Sequence, residues 1–150
     1  FVRASGRAYV AQYIHMGGKI GVQVEFADLA AGVAAKPEFA ALAKELAMQV
    51  AAASPAYASR AEVPADVLER ERDIYRAQMA SSGKPANVIE KIVEGKLDSF
   101  YAQSVLTDQP SIRDPKQKVS DAIAAAAKAV GGPIVVARFA RLKVGETASA

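Results

Sequence analysis

The sequence predicts an α+β domain, with a three-stranded antiparallel sheet (an N-terminal hairpin plus a C-terminal strand) packed with about four helices. From Ile20 to Phe26 the chain alternates without error. Ile20, Val22, Val24 and Phe26 share one face, and Gly21, Gln23 and Glu25 share the other. That period of two is the pattern of a half-buried strand. Further on, apolar residues recur every three or four positions in segments opened by Pro37, Pro64, Pro85 and Pro115, which is a helical pattern. From Ile134 to Val144 the chain is β-branched again and ends basic, with Arg138, Arg141 and Lys143. A lone C-terminal strand has only the hairpin to join.

The Gly17-Gly18 pair supplies the positive φ that a reversal needs, so Ala8 to Phe26 reads as the hairpin. Residues 27–36 are small and fit neither a clean strand nor a strong helix. Pro37 suits a first helical turn, where its missing N–H costs nothing. Phe39, Leu42, Leu46 and Val50 then make one stripe on an Ala-rich helix that runs to about Ser54, before Pro55. The next helix starts at Pro64, with Glu62 and Asp66 near its positive end. Its expected buried side is Val67, Leu68, Ile74, Tyr75 and Met79, and residues 69–73 form a solvated, mixed-sign face. Ser82-Gly83 breaks it.

A helix from near Pro85 carries Val88, Ile89, Ile92, Val93, Leu97, Phe100 and Tyr101, and it reads as the strongest core helix. Gly95 inside it suggests the close approach of another backbone. Asp114 is the expected N-cap of a last helix with Pro115 at its first position. Val119, Ile123, Ala127 and Val130 form its stripe, and Gly131-Gly132 ends it.

At 150 residues, 51% of them apolar, the chain is long enough for one domain with a real core. Cysteine is absent, which removes disulfides, thiolate zinc sites and cysteine nucleophiles together. No apolar run approaches the roughly 20 residues of a membrane span, so no membrane is expected as a partner. The net charge of +3 weakly favours an acidic partner, a protein surface or RNA. With no tryptophan and few aromatics, a stacking platform for single-stranded bases is disfavoured. The chain opens at Phe1 without a methionine or a signal pattern, and it is expected to be a piece of something longer.

Chemistry finds little footing. Gly17-Gly18-Lys19 lacks the upstream glycine and the following hydroxyl of a nucleotide loop. The single histidine, His15, sits on the turn with no second histidine to build a site. Glu90 and Glu94, four apart, read as two solvated charges beside Lys91. No catalytic residue, cofactor or metal is expected, and the function is placed in a binding surface.

The segment Tyr13-Ile14-His15-Met16-Gly17-Gly18-Lys19-Ile20-Gly21-Val22-Gln23-Val24-Glu25 resembles the signature hairpin of the translation elongation factor Ts family. Further matches follow in order. They are residues 47–52, Val63-Pro64, residues 71–78, Ser82-Gly83-Lys84-Pro85, residues 89–97, residues 109–112, and Val135 to Gly145-Glu146. The resemblance spans almost the whole chain. It implies a guanine-nucleotide exchange factor that binds the GTPase elongation factor Tu through Tyr13, His15, Met16, Gly17 and Gly18. It also implies that the family's small N-terminal docking domain is absent, leaving residues 1–150 as the core, dimerisation-type domain.

One element departs from the family. There, a Thr-Asp-Phe-Val-Ala segment follows the second strand, and its aspartate and phenylalanine wedge against the magnesium side of the GTPase. Gapless alignment places Ala30, Ala31 and Gly32 at the Thr-Asp-Phe positions. A methyl group and a hydrogen supply neither charge nor wedge, so exchange is expected to be weakened while docking survives. The rival expectation is a degenerate copy, such as part of a plastid polyprotein, that holds the GTPase or ribosome without releasing nucleotide. An RNA-binding module using Arg138, Arg141 and Lys143 is the weakest alternative. A homodimer and ribosome association stay open as further partners. The processed start favours a plastid or mitochondrion, with the bacterial cytoplasm as alternative.

Overall fold

The computed structural model describes residues 9–15 and 17–146. Strands β1 (Tyr9–His15) and β2 (Ile20–Ala27) come first, followed by helices α1 (Pro37–Ala53), α2 (Ala65–Met79), α3 (Ala86–Ser104) and α4 (Val119–Val130), and then strand β3 (Val135–Lys143). Short 3-10 turns lie at Val33–Ala35, Arg60–Glu62 and Leu106–Asp108. The sheet order is β1-β2-β3, antiparallel throughout. This is the expected α+β arrangement, with the helices inserted between the second and third strands.

β1 and β2 pair from Tyr9↔Phe26 to His15↔Ile20, and residues 17–19 turn between them. Gly17 (φ 64°) and Gly18 (φ 94°) both take the left-handed backbone that only glycine adopts without penalty. Ala8, the expected start of the hairpin, lies outside the described residues. Ile20, Val22, Val24 and Phe26 are all buried, as the alternation predicts. Glu25 departs from its polar pattern because it too is buried, with Arg138 Nε donating to its Oε2 at 2.7 Å. A register shift between Glu25 and Phe26 lets β3 pass this pair.

α1 makes the core. Phe39, Leu42, Leu46 and Val50 are buried, each contributing roughly 1.5–3 kcal/mol before entropy. The Phe39 ring meets Tyr9 at 4.9 Å and Phe26 at 5.0 Å, both edge-on, the geometry that aromatic quadrupoles favour. α4 covers another side of α1 with Val119 and Val130 buried and Ile123 and Ala127 partly so. A left-handed Gly131 (φ 76°) ends it. Lys36 Nζ donates to the Val130 carbonyl at 2.7 Å, placing a cation on the negative end of that helix.

A polar clasp sits inside this packing. Gln49 and Gln109 are both buried. Gln49 Nε2 donates to Gln109 Oε1 and to the Pro110 carbonyl, each at 3.1 Å, and Gln49 Oε1 accepts from Ile112 N at 2.8 Å. Gln109 Nε2 donates to the Gln103 carbonyl at 2.8 Å. Both amides are thereby satisfied, as burial requires.

Several expectations are corrected. α3 is not the strongest core helix: it buries only Val93 and Leu97, and neither belongs to the cluster built on the sheet and α1. α2 buries no residue fully, and Ile74, expected inside, is 44% exposed. The cause is that α2 packs chiefly on α3. A two-helix arm covers each apolar stripe from one side only.

Glu90 and Glu94 are not idle solvated charges. Arg76 Nε donates to Glu90 at 2.9 Å, and Arg72 Nε to Glu94 at 3.1 Å, across the two helices. Gly95 meets no atom within 4 Å of where a Cβ would stand, so no backbone passes close. α4 starts at Val119 rather than after Asp114. Asp114 instead closes a turn, accepting from Gln117 N at 2.9 Å and Lys116 N at 3.1 Å. The Asp121 carboxylate accepts from Lys118 N at 2.9 Å and serves the helix start.

Two outcomes follow from the arm. Gly95→Ala should stabilise the fold by ~0.5–1 kcal/mol in urea melts, because open helical space leaves only glycine's backbone entropy to recover. Arg76 holds the Glu90 carboxyl below its ordinary value of 4.5, chiefly by its hydrogen bond. A depressed carboxyl stabilises above its unfolded value and loses that effect as pH falls through the lower folded one. Stability in urea melts should therefore hold down to about pH 4.5 and fall slightly below it. Arg76→Ala should remove that acid-dependent part.

Candidate protein-interaction surface

The register that buries Val22 and Ile20 sets their partners Tyr13 and His15 on the same, α1-facing side of the sheet. Tyr13 is half-buried against the core, while His15 is exposed. Their rings stack with centroids 5.7 Å apart and planes at 30°, and Tyr13 Oη lies 2.9 Å from His15 Nδ1. Among the described residues Tyr13 is the one hydrogen-bond partner of the His15 imidazole, so no serine or carboxylate there is poised for activation. Gly17 and Gly18 lie exposed beyond it in open space. Met16 lies outside the described residues.

Ala30, Ala31 and Gly32 are exposed on the β2–α1 connection. Gly32 stands at φ 81° and ψ −11° and opens the 3-10 turn Val33–Ala35. Val33 N donates to the Ala30 carbonyl at 3.1 Å and Ala35 N to the Gly32 carbonyl at 3.2 Å. Val33 is buried, and Lys36 holds the far end of the loop to α4. The loop is shaped by its own backbone and anchors.

These two regions do not meet. The hairpin tip and the Ala30–Gly32 loop lie at opposite ends of β2, whose eight residues at ~3.3 Å each separate them by roughly 23–26 Å. A single macromolecular partner would have to span that length to touch both.

The sheet face opposite α1 carries Gln12, Ile14, Gly21, Gln23, Ala140 and Leu142, which line a shallow groove of about 420 Å³. Ile14 is 73% and Leu142 45% exposed there. A second patch joins Met48 and Ile112, both exposed, to Lys44, Glu45 and Arg113. Sequence reasoning missed this patch because Ile112 sits between turn residues, where no periodicity applies. It also missed the Arg72–Glu94 and Arg76–Glu90 pairs. Their signal was present in charges spaced by four on two successive helices.

The basic residues of β3 are drawn into the chain's own contacts. Arg138 binds Glu25, Arg141 Nε reaches the Ala51 carbonyl at 3.4 Å, and Lys143 pairs with Glu146 at 3.2 Å. Among the described residues no three His, Cys, Asp or Glu gather to hold a metal, and no helix is long and apolar enough to cross a membrane. At Gly32, Gly32→Ala should cost ~1–2 kcal/mol in urea melts despite the free space around it, because the left-handed backbone strains any Cβ.

The family model described as "Elongation factor TS" matches residues 1–146. Curated relatives named elongation factor Ts include that of Anaeromyxobacter sp. (strain Fw109-5), 48% identical over 96% of this chain and 66% of its own. Those of Geobacter sulfurreducens and Caldanaerobacter subterraneus subsp. tengcongensis are each 46% identical over 96% of this chain, covering 67% and 72% of theirs. The chain thus spans about two thirds of these relatives' length. All three come from bacteria, so the plastid or mitochondrial source expected from the sequence finds no support, and the bacterial alternative is the one they fit. With a family model matched almost end to end and relatives near half identity, the chain belongs to the elongation factor Ts family.

Proposed function

We propose that this chain binds elongation factor Tu in the bacterial cytoplasm and promotes GDP/GTP exchange, with weakened exchange. The observation that carries the second half is the Ala30-Ala31-Gly32 loop, which is exposed and offers neither a carboxylate nor a ring where the family pattern has both. An exchange factor acts as a ligand with higher affinity for one state of its partner. Such action needs no acid, base or metal. Docking falls to the hairpin tip, with Tyr13, His15, Met16, Gly17 and Gly18. Losing an aromatic anchor at an interface typically costs ≥ ~2 kcal/mol, which would be felt in nucleotide release.

Residues 1–150 act as the core, dimerisation-type domain in this reading. The separation of the tip from the loop along β2 favours a homodimer, since a second copy can supply the end that the first cannot reach. The groove around Gly21 and Ala140 on the open sheet face suits face-to-face packing of two sheets. Ribosome association has no feature of its own behind it. The second reading, a copy that holds the GTPase without releasing nucleotide, is favoured by the same loop if the weakening is complete.

Stopped-flow release of labelled GDP from elongation factor Tu tests both. The expected result is binding with weak acceleration. Tight binding with no acceleration supports the second reading, and no binding overturns both. Ala31→Asp combined with Gly32→Phe should raise the release rate. The left-handed backbone at Gly32 resists that phenylalanine, so the variant's stability has to be measured alongside.

A further inference from the structure

We infer that Tyr13 is a positioning residue that fixes His15 as an outward N–H donor; the inference deepens the proposed docking role of the hairpin tip and rests on it. Tyr13 Oη and His15 Nδ1 are 2.9 Å apart, with the two rings stacked at 5.7 Å. A phenol is a good donor and a poor acceptor, whereas the Nδ1 lone pair of a neutral imidazole is a strong acceptor. The phenol therefore donates, and the ring's own proton is placed on Nε2. That nitrogen is the one turned away from Tyr13.

The support is rigid on one side and open on the other. Tyr13 packs against the core cluster and pairs with the buried Val22, so the phenol is held by the same residues that hold the sheet. His15 is exposed and has no second partner among the described residues. What remains is a single oriented donor at the hairpin tip. Its complement is an acceptor oxygen, a carbonyl or carboxylate, on the docked protein. Pre-setting tautomer and ring plane removes an ordering cost that binding would otherwise carry.

The lone histidine of the chain gives one imidazole signal set, so its tautomer is read directly by nitrogen–proton correlation in alkaline buffer, on the free protein. The wild type is expected to show Nε2–H alone. Tyr13→Phe, which keeps the ring and removes the hydroxyl, is expected to show both tautomers. An unchanged tautomer population in Tyr13→Phe overturns the inference whatever happens in binding.

Affinity for elongation factor Tu is then measured for Tyr13→Phe, His15→Ala and the double variant. His15→Ala should weaken binding roughly three- to tenfold, the worth of one net hydrogen bond, and Tyr13→Phe should weaken it by less, since the donor is loosened and not removed. In the His15→Ala background Tyr13→Phe should add nothing. A loss of equal size in that background shows that Tyr13 touches the partner itself and overturns the positioning role. If His15→Ala binds like wild type while the tautomer shift in Tyr13→Phe is seen, the docking reading fails and the local geometry stands.

Discussion

Everything in this fold is built on α1 lying across β2. The contact is the meeting of Phe39 with Phe26 and Tyr9, extended by Leu42, Leu46 and Val50 over Val22 and Val24. This helix packs on the sheet and also supports a second helix, α4. With β2 central and alternate residues committed to that contact, a slip of one residue would turn every apolar side chain of the strand outward. The same commitment decides which hairpin residues face α1 and which face the open side. The position of His15 is thus a consequence of core packing.

The strand pattern was legible in the sequence because both its determinants are local. Alternation from Ile20 to Phe26 fixes the faces, and Gly17-Gly18 fixes the reversal. α1 was legible for a similar reason, with proline at one end and a clean stripe within. The arm was misread because periodicity reports that a face is apolar, and says nothing about how many neighbours will cover it. Ile89, Ile92 and Ile74 have the spacing of core residues, yet one partner helix leaves them half-covered or exposed. Asp114-Pro115 has the signature of a helix start, and the backbone spends the same groups on a turn. Tertiary pairing settled both.

The site divides along the same line. The contact role proposed for the hairpin tip was read from a lone histidine beside glycines. The stacking of Tyr13 on His15 could not be read, since two residues on one strand face can turn their rings together or apart. The loss of charge and ring at Ala31 and Gly32 was visible as composition, whereas their distance from the tip needed the strand's length and direction. Membership in the elongation factor Ts family, shown by the match over residues 1–146, says what kind of partner to expect. The exposed hairpin tip is the end proposed here to meet it.

The Gln49–Gln109 clasp has one more implication. It carries no net charge, and it sits where α3 hands over to the loop before α4, among Val105 and Leu106, which are fully buried. The far end of the arm is fastened instead by surface ion pairs at Arg72 and Arg76, which salt screens. Ionic strength acts on those pairs and leaves the amide clasp untouched. At the base of the arm the two uncharged amides thus stand beside an ion pair, Arg60 with Asp108.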